Sequence, residues 1–384
     1  MAIALHYFRS DPPNFGDELN ALIWPALIPG LEQSEIDGVL VGIGTILDSS
    51  IPQHRNVFVL GSGAGLARLP PGLEDGTLQV LAVRGPLTAR LAGLPMELAV
   101  TDPALLIRAV YPQLLALRNR AGAGQTLFVP HFTTAKDPGW RRACTRAGIA
   151  FVEPSADCVT ILKKIASARL VIAEAMHAAI VADALRVPWI PVASTRQFST
   201  FKWVDWALSL QVPFRPTLLP AVSARHAVQR AALNLFAERC LVESVSTDGT
   251  ESALHSEGVA VLLRETAQRL GMQQSGPLRS FKMKAAAVHQ HVIDPLVARL
   301  GHVLFRASDA VAEKQVARIL SDLAATPGYC STDEMSTARL HSLQEKVECL
   351  RDRLASDLRP GTAREHPGSA GAGTRRKWQR TGRH

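Results

Sequence analysis

The segment Glu174-Ala175-Met176-His177 places a carboxylate and an imidazole at a turn between a predicted strand and a predicted helix. Residues 169–173 form a short β-branched run, and residues 178–185 are apolar on nearly every side, which is typical of a buried strand and a buried helix. Ligands of open α/β sheets bind at such strand ends, and the N–H groups of a helix N-terminus attract anions. We therefore predict an anion-binding site at Glu174 and His177. The alternative is a helix-capping cluster, in which His177 binds a neighbouring carbonyl.

Two charged residues follow predicted strands in the first third of the chain. Arg84 comes directly after the predicted strand 78–83, and Asp102 follows the run 96–100, where Pro103 fixes the turn. The guanidinium group suits either a salt bridge or an anion clamp for carboxylate or phosphate. Since the carboxyl ends of parallel strands share one edge of a sheet, we expect Arg84 and Asp102 to lie at the same edge.

The loop 9–17 connects the first predicted strand, 3–8, to a helix predicted to begin at Glu18. Asn14 and Asp17 in this loop are residue types that commonly cap helices. Gly16 between Phe15 and Asp17 suits a turn that brings the backbone close to a ligand. Glycine-rich turns also follow the buried runs in 38–47 and 57–65, although neither is a full dinucleotide-binding fingerprint.

Polar residues also follow the predicted strands of the second third. The predicted strand 126–130 ends at His131, and Lys136 lies in the loop after it. The segment 194–210 is polar and aromatic and contains Lys202. Its residues either line a cleft between lobes or bury their tryptophans against a helix.

The length and composition predict an α/β protein of more than one domain. The chain has 384 residues, with 47% hydrophobic and 5% aromatic residues. We predict two Rossmann-like lobes at 1–120 and 121–215, with the boundary in an Arg, Asn, Ala and Gly-rich stretch. A helical region, 216–358, and a disordered basic tail, 359–384, follow.

The net charge and the cysteines indicate which binding partners and which cellular compartment to expect. The tail carries +6 of the net charge of +8, so the folded part has little basic excess and we expect no nucleic-acid partner. The five cysteines are widely spread without CxxC spacing, which predicts reduced thiols in the cytoplasm and no zinc site. We identify neither a signal peptide nor a membrane-spanning segment.

The periodic helix 281–306 is interpreted as packed on a neighbouring helix. The alternative is a basic amphipathic helix that lies on anionic lipid.

Several motifs in the same order resemble the polysaccharide pyruvyl transferase family, and within it the succinoglycan ketolase type. The resemblance covers about residues 1–210 and rests on NFGDELN, the two glycine turns, VRGPLTARL, TDPALLI, VPHFTT and AEAMHAAIVADALRVPWIPV. It implies a two-lobed fold like that of GT-B glycosyltransferases, with the active site in the cleft. It also implies transfer of pyruvate from phosphoenolpyruvate to a sugar of an exopolysaccharide repeat as a ketal, with release of phosphate and without a cofactor or metal.

The resemblance places the family's arginine on Arg84 and its histidine on His177, and the chemistry of the implied reaction suggests roles for them and for two carboxylates. Arg84 and the helix N-terminus at His177 would hold phosphoenolpyruvate, His177 would protonate its methylene carbon, and Asp17 or Asp102 would accept the hydroxyl proton. Many relatives have Arg-Leu-His where this chain has Ala175-Met176-His177. Lys202, Arg169 or Lys136 would then supply the missing charge. The complete predicted substrate-binding set is Asn14, Gly16, Arg84, His131, Lys136, Glu174, Met176 and Lys202.

Two other functions remain open on the sequence. One is a glycosyltransferase that uses a nucleotide sugar on the same fold, and the other is a non-catalytic scaffold for exopolysaccharide assembly. For the pyruvyl transferase interpretation, the expected partners are phosphoenolpyruvate and a lipid-linked oligosaccharide, with peripheral contact at the cytoplasmic face of the inner membrane.

Overall fold

The computed structural model describes residues 2–34, 36–73, 76–119, 124–195, 198–236, 256–272 and 305–356. Within these ranges the chain forms two parallel β-sheets with helices packed on them, followed by a helical C-terminal region. The predicted α/β class and the helical C-terminal region are therefore confirmed. The predicted boundary at 120 coincides with residues 120–123, which are outside the described residues, as is the predicted tail.

The first sheet has four parallel strands in chain order. They are β1 (Ile3–His6), β2 (Gly38–Val41), β3 (Val57–Ser62) and β4 (Leu78–Val83). Buried Val, Leu and Phe side chains on the inner strands match the continuous apolar runs that parallel sheets require. The helices of this part are α1 (Phe15–Leu27), α2 (Pro86–Leu91), α3 (Ile107–Val110) and α4 (Gln113–Asn119).

The second sheet has five parallel strands in the order β6-β5-β7-β8-β9. The strands are β5 (Thr126–Val129), β6 (Ala150–Phe151), β7 (Leu170–Ala173), β8 (Trp189–Ala193) and β9 (Thr217–Leu218). Its helices are α5 (Gly139–Ala147), α6 (Cys158–Ala166), α7 (Met176–Ala184) and α8 (Thr200–Leu210). Strand β6 lies on one side of β5 and strand β7 on the other, so the direction of the chain connections reverses between β5 and β7. Open sheets bind ligands at the carboxyl ends of the strands at such a switch point.

The C-terminal region packs on both sheets. Its described helices are α9 (Ala224–Phe236), α10 (Glu257–Met272), α11 (Arg306–Ala324) and α12 (Asp333–Ser356). Between α11 and α12, Tyr329 exchanges two backbone hydrogen bonds with Trp189 of β8. Residues 273–304, which contain most of the predicted periodic helix, are outside the described residues. None of the helices in the described ranges is both long enough and apolar enough to cross a bilayer.

Three elements differ from the sequence prediction. Helix α1 begins at Phe15, so Gly16 and Asp17 belong to its first turn and not to a loop, because Asn14 already serves as the extended N-cap. The segment 194–210 contains a full helix, α8, whose Trp203 and Trp206 are completely buried. Strand β9 was not predicted, since two residues are too few for a periodic pattern.

The two sheets share one continuous apolar core. Helix α1 of the first part contacts α6 of the second, and the Phe15 N–H donates to the carbonyl of Pro154, which precedes α6, at 3.0 Å. Helix α8 returns from the second part to pack on α2, and α7 packs on the 3-10 helix Pro103–Leu106. These contacts bring residues at the strand ends of both sheets into one cluster.

Candidate active site

The His177 imidazole and the Asp102 carboxylate face each other where the two sheets meet. His177 lies in the first turn of α7, and its Nε2 is 3.9 Å from Asp102 Oδ2. The side chains are 14% and 0% exposed, and neither atom has a hydrogen-bond partner in the described part of the chain. Asp102 Oδ1 accepts the Ala104 N–H at 3.0 Å, which fixes the carboxylate. Buried polar atoms normally have partners, so this unsatisfied pair is suited to a polar ligand.

Gly16 lies directly against the His177 ring. A Cβ atom on Gly16 would lie 2.7 Å from His177 Cγ and closer still to Nδ1, whereas real Cβ atoms stay beyond 3.0 Å. The glycine therefore permits a close approach between α1 and α7, as predicted, but the group that it approaches is a side chain of the protein. The ring is held between the α1 backbone and Asp102.

Arg84 is completely buried at the end of β4 and is fixed on two sides. Its Nε donates to Asp205 Oδ2 at 3.2 Å, and its Nη1 donates to Thr45 Oγ1 at 2.7 Å. Its Nη2 has no hydrogen-bond partner among the described residues. Gly63 lies against the guanidinium, where any Cβ would come within 3.0 Å of it. Arg84 is thus both a salt-bridge residue and a guanidinium with one donor nitrogen still available.

Lys202 of α8 supplies a second cation to the same cluster. Burial lowers its pKa to about 8, and the Arg84 charge also lowers it, while Asp17 and Asp102 act in the opposite direction. Asp17 is half-buried in the first turn of α1, and its Oδ2 accepts a hydrogen bond from Asn14 Nδ2 at 2.7 Å. The cluster therefore combines two cations with two carboxylates, and its charge depends on pH near neutrality.

Burial determines the charge states of the acidic and imidazole groups. It raises the pKa of both Asp17 and Asp102 to about 6. It lowers the pKa of His177 to about 3, and the charges of Lys202 and Arg84 contribute in the same direction. At pH 7 the imidazole is consequently neutral, while both carboxylates are mostly ionised and Lys202 is mostly protonated. A bound anion would oppose the influence of the two cations and raise the pKa of His177.

Comparison with known proteins identifies the family. No protein-family model and no solved structure matches the chain. The succinoglycan biosynthesis protein ExoV of Rhizobium meliloti (strain 1021) is 36% identical over 228 residues, which are 59% of this chain and 71% of that protein. The chain belongs to the succinoglycan-type pyruvyl transferase family. The family resemblance predicted from the motifs is thereby confirmed.

In this pyruvyl transferase family member, several predicted substrate-binding residues lie apart from the cluster. Lys136 is exposed, and Met176 is buried in the apolar core at the start of α7. Arg169 donates to the Ala324 carbonyl at 3.1 Å on the surface. Of the three cations considered for the missing arginine, only Lys202 lies among the buried site residues, because α8 carries it there.

Glu174 holds strand ends together. One of its carboxylate oxygens accepts the His131 N–H at 3.0 Å, and the other accepts the N–H and the hydroxyl of Ser194 at 2.9 and 2.5 Å. Since these are the ends of β5, β7 and β8, the contacts of Glu174 connect three strand ends. The His131 ring bonds to Thr133 at 2.7 Å, and burial lowers its pKa to about 3. His131, Glu174 and Lys202 line one small cavity beside the cluster.

Two residues that fix Arg84 were not predicted as site residues. Thr45 lies in the glycine-rich turn after β2, and Asp205 lies on α8. A signal for Asp205 exists, since a carboxylate within the apolar sequence Trp203-Val204-Asp205-Trp206 needs a buried partner. Its partner lies 121 residues away in the sequence and cannot be identified from local pattern. In the described part of the chain, no group of three His, Cys, Asp or Glu residues is placed to hold a metal ion.

Proposed function

We propose that the chain transfers the pyruvyl unit of phosphoenolpyruvate to a sugar of an exopolysaccharide repeat, closing a ketal across two hydroxyls and releasing phosphate. The observation that carries the proposal is a set of three buried polar atoms without hydrogen-bond partners among the described residues: Arg84 Nη2, Asp102 Oδ2 and His177 Nε2. His177 Nε2 lies 3.9 Å from Asp102 Oδ2, and the Arg84 charge acts on the pKa of both groups. A donor with both a carboxylate and a phosphate suits a site with two cations, Arg84 and Lys202. The family to which the chain belongs supports the same reaction.

The proposed reaction needs one group that gives a proton and one that takes it. Protonation of the methylene carbon leaves an electron-poor carbon, which a sugar hydroxyl attacks as it loses its own proton. Phosphate then leaves with the electrons of its C–O bond, and the second hydroxyl closes the ketal as its proton passes to the released phosphate. Donor and diol together thus give ketal and phosphate, with no oxidant or reductant.

We assign the proton-giving role to His177. The imidazole is neutral in the unliganded site, but the negative donor raises its pKa and lets Nε2 take up a proton. Asp102 Oδ2 lies 3.9 Å from Nε2, and we therefore assign this carboxylate the role of stabilising the protonated ring. Asp17 is half-buried and partly accessible, and we therefore assign it the role of accepting the hydroxyl proton.

The proposal also includes a lipid-linked oligosaccharide as acceptor and contact with the cytoplasmic face of the inner membrane. It further includes a GT-B-like arrangement of the two sheets.

The identity of the donor distinguishes the proposed pyruvyl transferase from a glycosyltransferase, which is the main alternative. We expect phosphoenolpyruvate to raise the Tm of the purified protein and the nucleotide sugars UDP-glucose and UDP-galactose to leave it unchanged. Stabilisation by a nucleotide sugar alone would favour the glycosyltransferase, and stabilisation by no donor would favour a scaffold.

Replacing Gly16 with alanine should lower turnover by about a hundredfold. The added Cβ displaces the His177 ring, and a shift of about 1 Å in a catalytic group has costs of that order. The matched control is Gly139→Ala, which adds a methyl to the first turn of α5 with no contact closer than 3.0 Å. Equal turnover in the two alanine variants would show that the position of the ring does not matter.

Donor binding should weaken as the pH rises through about 8. Because the pKa of Lys202 is about 8, its ammonium group loses its charge above this pH. The electrostatic attraction between Lys202 and the anionic donor is then lost. We expect the KM for phosphoenolpyruvate to rise between pH 7 and 9. A Lys202→Arg variant should not show this rise, since arginine stays charged throughout the range. The same alkaline rise in the arginine variant would remove Lys202 from the donor site.

A further inference from the structure

The Asp205 carboxylate connects the second sheet's α8 to the strand end that carries Arg84. Its Oδ1 accepts the backbone N–H groups of Leu87 and Thr88 at 2.8 and 3.0 Å. Its Oδ2 accepts the Thr88 hydroxyl at 2.6 Å and Arg84 Nε at 3.2 Å. Asp205 is completely buried, and each of these partners precedes it by at least 117 residues. Both oxygens are therefore engaged by the first part of the chain.

These contacts determine how the Arg84 guanidinium is oriented. The guanidinium is planar, so fixing Nε through Asp205 and Nη1 through Thr45 also fixes the direction of Nη2. The backbone of α8 can come this close because Gly85 has no side chain, and a Cβ there would lie within 3.0 Å of the Asp205 backbone. The Arg84 charge influences the pKa values of Asp102, His177 and Lys202, so its placement affects the whole cluster.

We propose that Asp205 is a positioning residue for donor binding, which orients Arg84 so that its Nη2 can bind the anionic donor. The inference rests on the proposed function. Asp205 lies three residues after Lys202 on α8, so one helix delivers a cation to the site and orients the other. The two cations are then correctly arranged only when α8 is docked against α2.

Replacing Asp205 with asparagine distinguishes its attachment of α8 to α2 from its contact with Arg84. In Asp205→Asn the carbonyl oxygen can still accept the Leu87 and Thr88 N–H groups, which keeps the two backbone contacts, while the amide nitrogen cannot accept from the Thr88 hydroxyl. The amide nitrogen also cannot accept from Arg84 Nε. The variant therefore keeps the backbone attachment of α8 to α2 while removing the contact that orients the guanidinium.

The test compares Asp205→Asn with Ser209→Ala in the full chain. Ser209 bonds to Thr101 at 2.8 Å, so its loss also removes a buried contact between α8 and the first part of the chain, but it does not touch Arg84. We expect Asp205→Asn to raise the KM and Kd for phosphoenolpyruvate by about tenfold or more, as for loss of a charge-assisted contact, with kcat changed far less. Ser209→Ala should leave the donor Kd within about twofold. Equal increases in both variants would assign the effect to general loosening and overturn the inference.

A second measurement asks whether Asp205 acts through Arg84. In an Arg84→Met background, adding Asp205→Asn should leave the donor Kd unchanged, because the group to be oriented is already gone. A further increase of the same size would show an independent role and overturn the inference. A normal Kd in the single Asp205→Asn variant would overturn it alone. Failure of the unmodified chain to bind phosphoenolpyruvate would overturn the proposed function and this inference together.

Discussion

Replacing His177 with glutamine should lower turnover by about 10² to 10⁴, the range for loss of a positioned acid or base. Glutamine has similar reach and is polar, but it has no transferable proton near neutral pH. Because the donor's anionic groups bind the two cations in the proposal, the KM for phosphoenolpyruvate should change far less than kcat. Steady-state kinetics of phosphate release at saturating donor measures the effect.

His226 provides the matched control for this substitution. It is also a buried histidine whose Nε2 has no hydrogen-bond partner among the described residues, and burial lowers its pKa to about 4, but it packs on Trp140 away from the cluster. His226→Gln should therefore affect Tm more than turnover. Near-normal turnover in a folded His177→Gln variant would remove the imidazole from the mechanism and return His177 to a structural role at the start of α7.

Replacing Arg84 with methionine should have the second large effect, on donor affinity and on stability together. The variant removes Nη2 from the donor and Nε from the buried Asp205 carboxylate. Removing one partner of a buried ion pair costs about 3–5 kcal/mol, because the remaining charge stays buried. We expect a clear fall in Tm and a rise in the KM for phosphoenolpyruvate of about tenfold or more.

The Arg142→Met variant is a control that removes an ion-pair partner away from the proposed donor site. Arg142 Nε bonds at 2.6 Å to Glu313, a carboxylate that is almost completely buried between α5 and α11. Arg146 Nε lies 3.5 Å from the other Glu313 oxygen and keeps this carboxylate partly paired, so Arg142→Met should lower the Tm less than Arg84→Met does and leave the KM for the donor unchanged. If Arg84→Met lowers the Tm but leaves the KM unchanged, Arg84 is a structural ion-pair residue and not a donor ligand.

Long apolar runs made most of the fold predictable. The run before Glu174 became β7, and the apolar segment after it became α7, because a strand and a helix buried on all sides leave few polar positions. Helix α8 was not predicted, because its sequence has no long apolar run of this kind. Its polar and aromatic residues fit either a cleft or a helix, and only packing against α2 and the core determines the result.

The positions of the candidate site residues were predictable where they follow strand ends, but their hydrogen-bond partners were not predictable where these are distant in the sequence. Arg84, Asp102 and His177 were chosen as candidates because parallel strands bring their carboxyl ends to common edges. Glu174 fits the same pattern, yet the Ser194 and His131 donors occupy it. The pattern locates a strand end, but it does not show whether neighbouring donors already satisfy the side chain. That distinction needs the three-dimensional contacts.

The most direct test of the central claim is phosphate release from phosphoenolpyruvate by the purified full chain, with and without lipid-linked oligosaccharide repeats. We predict release that depends on the acceptor, with one phosphate formed for each acid-labile pyruvate ketal gained by the oligosaccharide. The His177→Gln variant should lose both products in parallel. Oligosaccharide that gains a sugar from a nucleotide sugar, with no phosphate released from phosphoenolpyruvate, would contradict the proposal.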